Sequence, residues 1–239
     1  MKRYLLLIIL SVLALSSCKK QEDQYSLKDA AMGIVDNSVF TTDAGVKMTI
    51  VSAADGIDVT SKRRAFVSFT LTVRESHNYA YEITVDNLME PTIVEPVRVE
   101  NATESPQGDP AEIVQCWFGG GYLNVGVGYY VDADKTTEQS FTASYSIAEN
   151  LTTLSLRRDG QGEDYFSVTQ PKAIGTYVCI PLQTVWTDYF SVKDPDNAIQ
   201  PEHRSMPVNL DWMWHAKNGN DLLEAVIHYN SQGTYYKAD

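Results

Sequence analysis

The chain has 239 residues, 44% of them hydrophobic, with 31 acidic and 19 basic side chains and a formal net charge of −12. An acidic surface of that size repels phosphate backbones and argues against nucleic acid as a partner. The length accommodates one large or two small domains.

Lys2 and Arg3 precede an almost unbroken apolar run from Tyr4 to Leu15. That run is too short for the ~20 residues of a spanning helix and has the form of a secretory leader. It ends in Leu15-Ser16-Ser17-Cys18, an aliphatic residue and two small ones before a cysteine, which looks like a bacterial lipobox. The expected products are a signal peptide over 1–17 and a lipid-modified Cys18. Acyl chains on that thiol, at ~0.8 kcal/mol per buried methylene, would tether the mature chain to a membrane. Cleavage would remove Lys2 and Arg3, leaving 17 basic against 31 acidic residues and a net charge of −14. Residues 18–29, opening on Lys19-Lys20-Gln21-Glu22-Asp23, read as a polar tether, with at most a short turn at Ser26–Met32.

From residue 30 onward, runs of Val, Ile, Thr, Tyr and Phe alternate with Gly, Asp, Asn and Pro clusters, the pattern of strands and turns. Five strands are predicted before residue 100: Ala31–Val35, Val46–Val51, Ala65–Val73, Tyr79–Val85 and Thr92–Val99. In the third, the period of two sends Val67, Phe69, Leu71 and Val73 toward a core and leaves Phe66 on the other face. Asn101–Pro110, with two prolines and no aliphatic periodicity, reads as a domain boundary, so that 30–102 and 110–239 form two domains. Seven further strands follow: Ala111–Phe118, Tyr122–Val131, Gln139–Ile147, Thr153–Arg157, Gly175–Leu182, Met206–Trp214 and Glu224–Asn230. They suggest an antiparallel β-sandwich, with Asp188–Arg204 as a long loop. The fold class is all-β.

Leu15-Ser16-Ser17-Cys18, Phe66-Val67-Ser68-Phe69, Gly121-Tyr122-Leu123-Asn124 and Leu154-Ser155-Leu156-Arg157-Arg158-Asp159 ahead of Gly162 together resemble the NigD-like lipoproteins of the Bacteroidetes group. Arg158 stands where the resemblance leads one to expect a histidine. The resemblance implies an OB-like, five-stranded N-terminal barrel followed by a seven-stranded C-terminal sandwich. It brings no catalytic residues, and it associates founding members with bacteriocin operons and immunity.

Little catalytic chemistry emerges from the motifs. His77, His203, His215 and His228 lack zinc-ligand spacing, and no metal or cofactor is expected. Asp132–Glu138 lacks the glycine and terminal glutamate of a calcium loop and reads as a polar hairpin turn. Gly119-Gly120-Gly121, with Gly126 and Gly128, fits no nucleotide-loop spacing and reads as a tightened turn or bent strand. Cys116 and Cys179, in an exported chain, either form a disulfide or remain two buried thiols in separate strands. Trp212 and Trp214 share one face of a strand. They are the candidate ligand contacts if that face is exposed, and core residues if it is not. The expectation is a non-catalytic outer-membrane lipoprotein, on either membrane face, that presents β-domains to an envelope protein or a glycan. The alternatives are a carbohydrate-active enzyme without a recognisable motif and a bacteriocin-associated immunity lipoprotein.

Overall fold

The computed structural model describes residues 25–73, 81–104, 108–163, 167–200, 203–216, 219–230 and 235–237. Cys18 lies outside them. Five strands close a barrel: β1 (Tyr25–Asp36), β2 (Val39–Thr42), β3 (Lys47–Ala53), β4 (Arg63–Val73) and β5 (Tyr81–Met89). Their order, β1-β2-β3-β5-β4 and back to β1, with only the β3–β5 pair parallel, is that of a small Greek-key barrel of the OB kind. Asn37 and Ser38, with φ of 48° and 59°, make the two-residue turn from β1 to β2. Val67, Phe69, Ile83, Val85, Val35 and Phe40 fill the interior, as the period of two predicts for β4.

The second unit has two sheets. One is ordered β6 (Thr92–Ile93), β12 (Pro171–Pro181), β9 (Tyr122–Asp132), β8 (Glu112–Gly119). The other is ordered β15 (Tyr235–Lys237), β14 (Gly219–Asn230), β13 (Ser205–Ala216), β11 (Leu151–Asp159), β10 (Ser140–Ala148), β7 (Pro96–Arg98). Leu123, Val125, Ile180, Leu154, Val208 and Leu210 belong to the apolar core between them.

Several expectations change here. Ser26–Met32 is part of β1 rather than a turn. Thr92–Val99 does not supply the fifth barrel strand; Val39–Thr42 does. Thr92–Ile93 pairs with Val178–Cys179, and Pro96–Arg98 pairs with Ala143–Tyr145, so the barrel ends by Met89 and the stretch up to residue 102 joins the sandwich. The sandwich is mixed rather than antiparallel, because β7, β6 and β13 lie parallel to their partners β10, β12 and β11. It has ten described strands rather than seven. A helix, α1 (Gln183–Lys193), replaces the start of the expected loop. Its β-branched and aromatic residues carry weak helix propensity, and burial of Val185, Tyr189 and Phe190 against the core holds it instead.

Candidate functional site

The four-stranded sheet turns its inner face to the core through Leu123, Val125 and Val127, so alternation sends Asn124, Gly126 and Gly128 outward. Tyr177 and Cys179 of β12 sit opposite Gly126 and Asn124 and share that outer face. Gly126 makes room there, since a Cβ would come 2.8 Å from Gln115 Cγ and 3.3 Å from the Tyr177 ring. The Gln115 amide closes over the glycine and donates to Tyr177 Oη at 2.8 Å. The indole of Trp117 meets the Tyr177 ring edge-on at 6.0 Å.

The barrel docks on this face through β4. Phe66 stacks on Tyr177 with ring centroids 4.5 Å apart. Arg64, two residues earlier and on the same side of the strand, forks onto Asp43, with Nη1 to Oδ1 at 2.9 Å and Nη2 to Oδ2 at 2.8 Å. Its Nη2 also donates to Asn124 Oδ1 at 2.6 Å, its Nε points at Cys179 Sγ at 3.4 Å, and its guanidinium lies 4.2 Å over the Tyr122 ring. Burial by itself would lower the Arg64 pKa; the hydrogen bonds to Asp43 and Cys179 and the charge of Asp43 outweigh it and hold the guanidinium above its ordinary value. Burial likewise raises the Cys179 thiol, against the pull of Arg64.

The three consecutive glycines serve this junction. Gly120 and Gly121, at φ of 59° and 84°, form the tight turn between β8 and β9. Gly119 and Gly120 also leave space for Asp43, which would lie 2.7 and 2.4 Å from their Cβ positions.

Beside this latch runs a cleft of about 700 Å³. Ala30, Ala31, Met32, Thr42, Asp43, Ala44 and Phe66 line it from the barrel, and Gln115, Trp117, Phe118 and Gly119 line it from the sandwich. Asp43 is the sole carboxylate among these residues, and Arg64 occupies both of its oxygens.

The cysteines do not pair. Cys116 and Cys179 are free thiols on β8 and β12, with β9 between them. Two strand spacings separate their backbones by roughly 10 Å, beyond disulfide reach. Cys116 packs toward the core whereas Cys179 faces the barrel, so their side chains also point to opposite sides of the sheet. Trp212 packs against the sandwich core beside Leu210, with its Nε1 buried and without a hydrogen-bond partner among the described residues, which is poor placement for a ligand contact. The side chain of Trp214 lies outside the described set. Trp186 packs on Phe190 within α1.

The Arg157-Arg158 pair also has structural work. Arg157 Nη2 meets Asp211 at 2.5 Å on the outer face of the six-stranded sheet. Arg158 reaches Pro110 O at 3.2 Å, Gln139 Oε1 at 2.6 Å and the Glu163 carbonyl, and it lies over the Tyr129 ring. Asp132 accepts the amides of Asp134 and Thr169. The polar segment 132–138 is not the expected hairpin turn: β9 and β10 lie in different sheets, and it crosses from one to the other. No cluster of metal-ligating side chains occurs among the described residues.

Neither Arg64 nor Asp43 stood out in the sequence. The available signals were a charged pair, Arg63-Arg64, at the head of an otherwise uncharged strand, and three glycines with no phosphate-loop spacing.

No protein-family model matches the chain. No curated protein matches it either. Solved structures do. A NigD-like immunity protein from Bacteroides caccae aligns with a TM-score of 0.58 at 16% identity, over 91% of this chain and 98% of that one. A candidate lipoprotein from Bacteroides fragilis aligns with a TM-score of 0.55 at 14% identity, over 86% of this chain and 98% of that one. A protein of unknown function from Bacteroides vulgatus gives 0.52 at 15% identity, over 83% and 90%. The resemblance to NigD-like proteins carried by short sequence motifs thus extends to the fold: barrel and sandwich together are the architecture this chain shares with the Bacteroides proteins.

Proposed function

We propose that the protein is a lipid-anchored, non-catalytic envelope protein that binds a partner in the cleft between barrel and sandwich. The observation that carries the reading is the cleft itself, which side chains of both units build and an Arg64–Asp43 latch holds at one end. The leader ending in Cys18 and the fold shared with a candidate lipoprotein support the anchor; the outer membrane is the membrane this reading assigns to it. A two-carboxylate glycosidase mechanism finds no support in the cleft, since a second carboxylate facing Asp43 is absent from its lining and Asp43 is committed to Arg64. A role in self-protection against a toxin is the second reading, favoured by the name of the B. caccae neighbour.

Radiolabelled palmitate fed to cells tests the anchor. The label is expected on the wild type and absent from Cys18→Ala, which should move from the membrane to the soluble fraction. A membrane-bound, labelled Cys18→Ala protein would refute it. Protease shaving of intact cells, with a periplasmic protein as leakage control, then assigns the membrane face.

A further inference from the structure

Two strand edges are left without a neighbour on the cleft. β1 pairs with β4 from Tyr25 to Val35, but with β2 only from Gly33 to Asp36. Its other side therefore has no strand neighbour through Ala30–Met32. β8 is the terminal strand of its sheet and pairs with β9 alone. Ala30, Ala31 and Met32 stand on the barrel wall of the cleft, and Gln115 and Trp117 on the sandwich wall.

A strand with one neighbour directs the N–H and C=O of every second residue away from its sheet. On β1 two such groups are satisfied locally: Ala30 N–H donates to Asp29 Oδ1 at 2.8 Å, and the Met32 carbonyl accepts Asp43 N–H at 2.9 Å. Among the described residues no backbone hydrogen bond spans the cleft from β1 to β8. Exposed edges are normally blunted by lysine, proline or an inward charge. Lys28 and Asp29 blunt the β1 edge ahead of the cleft, and neither Ala30–Met32 nor Gln115–Gly119 contains such a residue. The bulge of β8 falls between Ile113 and Gln115, at one end of the cleft-lining stretch.

We infer that the cleft takes an extended peptide segment of a partner protein, which adds as a strand along these edges. The inference rests on the cleft being the binding site. Strand addition draws its affinity from main-chain hydrogen bonds and its selectivity from pockets for alternate side chains. The small, exposed residues Ala30 and Ala44 allow close backbone approach, while Trp117 provides apolar relief. A sugar fits less well. The Tyr177 ring is already covered by Phe66, and its hydroxyl is taken by Gln115. A net charge of −12 sets the peptide's own charge at neutral or positive.

The test uses the full mature chain in non-ionic detergent and a displayed library of random decapeptides as the probe. Enriched peptides, remade synthetically, should lose at least tenfold in affinity when amides along one edge are N-methylated. They should lose as much against Ala30→Trp, which fills the cleft from an exposed position; its thermal melt should match the wild type. Val97→Trp, at an exposed site on β7, should leave binding unchanged. Failure of any peptide to enrich, or binding that tolerates N-methylation throughout, overturns the strand-addition proposal. If an oligosaccharide array instead gives binding that Ala30→Trp abolishes, the peptide is wrong and the cleft survives. Peptide binding indifferent to Ala30→Trp overturns both. None of these outcomes depends on the lipid.

Discussion

Arg64→Ala tests how the two units are held together. The Arg64 side chain is 3% exposed and that of Asp43 11%. Removing the guanidinium leaves the Asp43 carboxylate with one long contact, from Asn124 Nδ2 at 3.3 Å, and leaves Asn124 Oδ1 with only the Cys179 thiol at 3.1 Å. Breaking one side of such a buried pair costs ~3–5 kcal/mol, because the surviving charge stays out of water. Losing the stacking on Tyr122 adds ~1 kcal/mol. Arg64→Lys keeps the charge but cannot fork, and should cost less, ~1–2 kcal/mol. Arg64→Met combined with Asp43→Asn removes both charges and should cost less than the sum of the singles by ~2 kcal/mol. The assay is urea unfolding followed by tryptophan fluorescence, since Trp117, Trp186, Trp212 and Trp214 all belong to the sandwich, with circular dichroism reporting both units. In Arg64→Ala the two signals should part, the circular dichroism moving to lower urea first as the barrel separates. A loss below about 1 kcal/mol, or strictly additive singles, would show that the latch contributes no more than a surface ion pair.

Two further outcomes follow from the same geometry. Gly120→Ala must hold φ at 59° and place a Cβ 2.4 Å from Asp43 Oδ1, whereas Gly121→Ala at φ 84° meets nothing within 4 Å. The second should cost ~1–2 kcal/mol for backbone strain alone and the first clearly more, compared by urea midpoint; equal losses would remove the Asp43 contact from the explanation. Alkaline pH should weaken the fold. Burial pushes the Cys116 thiol up to about 12, and burial with the hydrogen bond to Asp188 pushes Tyr145 up to about 12, while burial also raises Cys179, Tyr129 and Tyr189. The folded chain holds these protons more tightly than the unfolded one, whose thiols and phenols titrate near ~8.5 and ~10. Stability from these groups is therefore complete below about pH 8.5 and falls as the pH rises toward 12. Urea midpoints at pH 8 and 10.5 measure it, Tyr145→Phe should flatten the slope, and a midpoint unchanged at pH 10.5 would contradict the burial of these groups.

Much of the strand content was legible because alternation is a local property. Val67, Phe69 and Leu71 had to share a face whatever the barrel's closure, and they do. The Leu15-Ser16-Ser17-Cys18 motif is equally local, a contiguous signal whose reading does not depend on folding. α1 was not legible, because Val185, Tyr189 and Phe190 become a helix face only once the core exists to receive them. The same holds for Thr92–Ile93 and Pro96–Arg98, short segments that extend one run of β-formers in sequence yet divide between two sheets in space.

What the sequence by itself determined is the class of fold and the inward set of residues on the longer strands, both readable from neighbours along the chain. Only the tertiary structure decided which strands close the barrel, that Cys116 and Cys179 lie on opposite faces of one sheet, and that Arg64 meets Asp43, Asn124 and Cys179. Those contacts join positions 21, 60 and 115 residues apart. Periodicity assigns a side chain to a face of its strand; which other face lies against it depends on sheet order and the docking of two units, for which no residue carries a local signature.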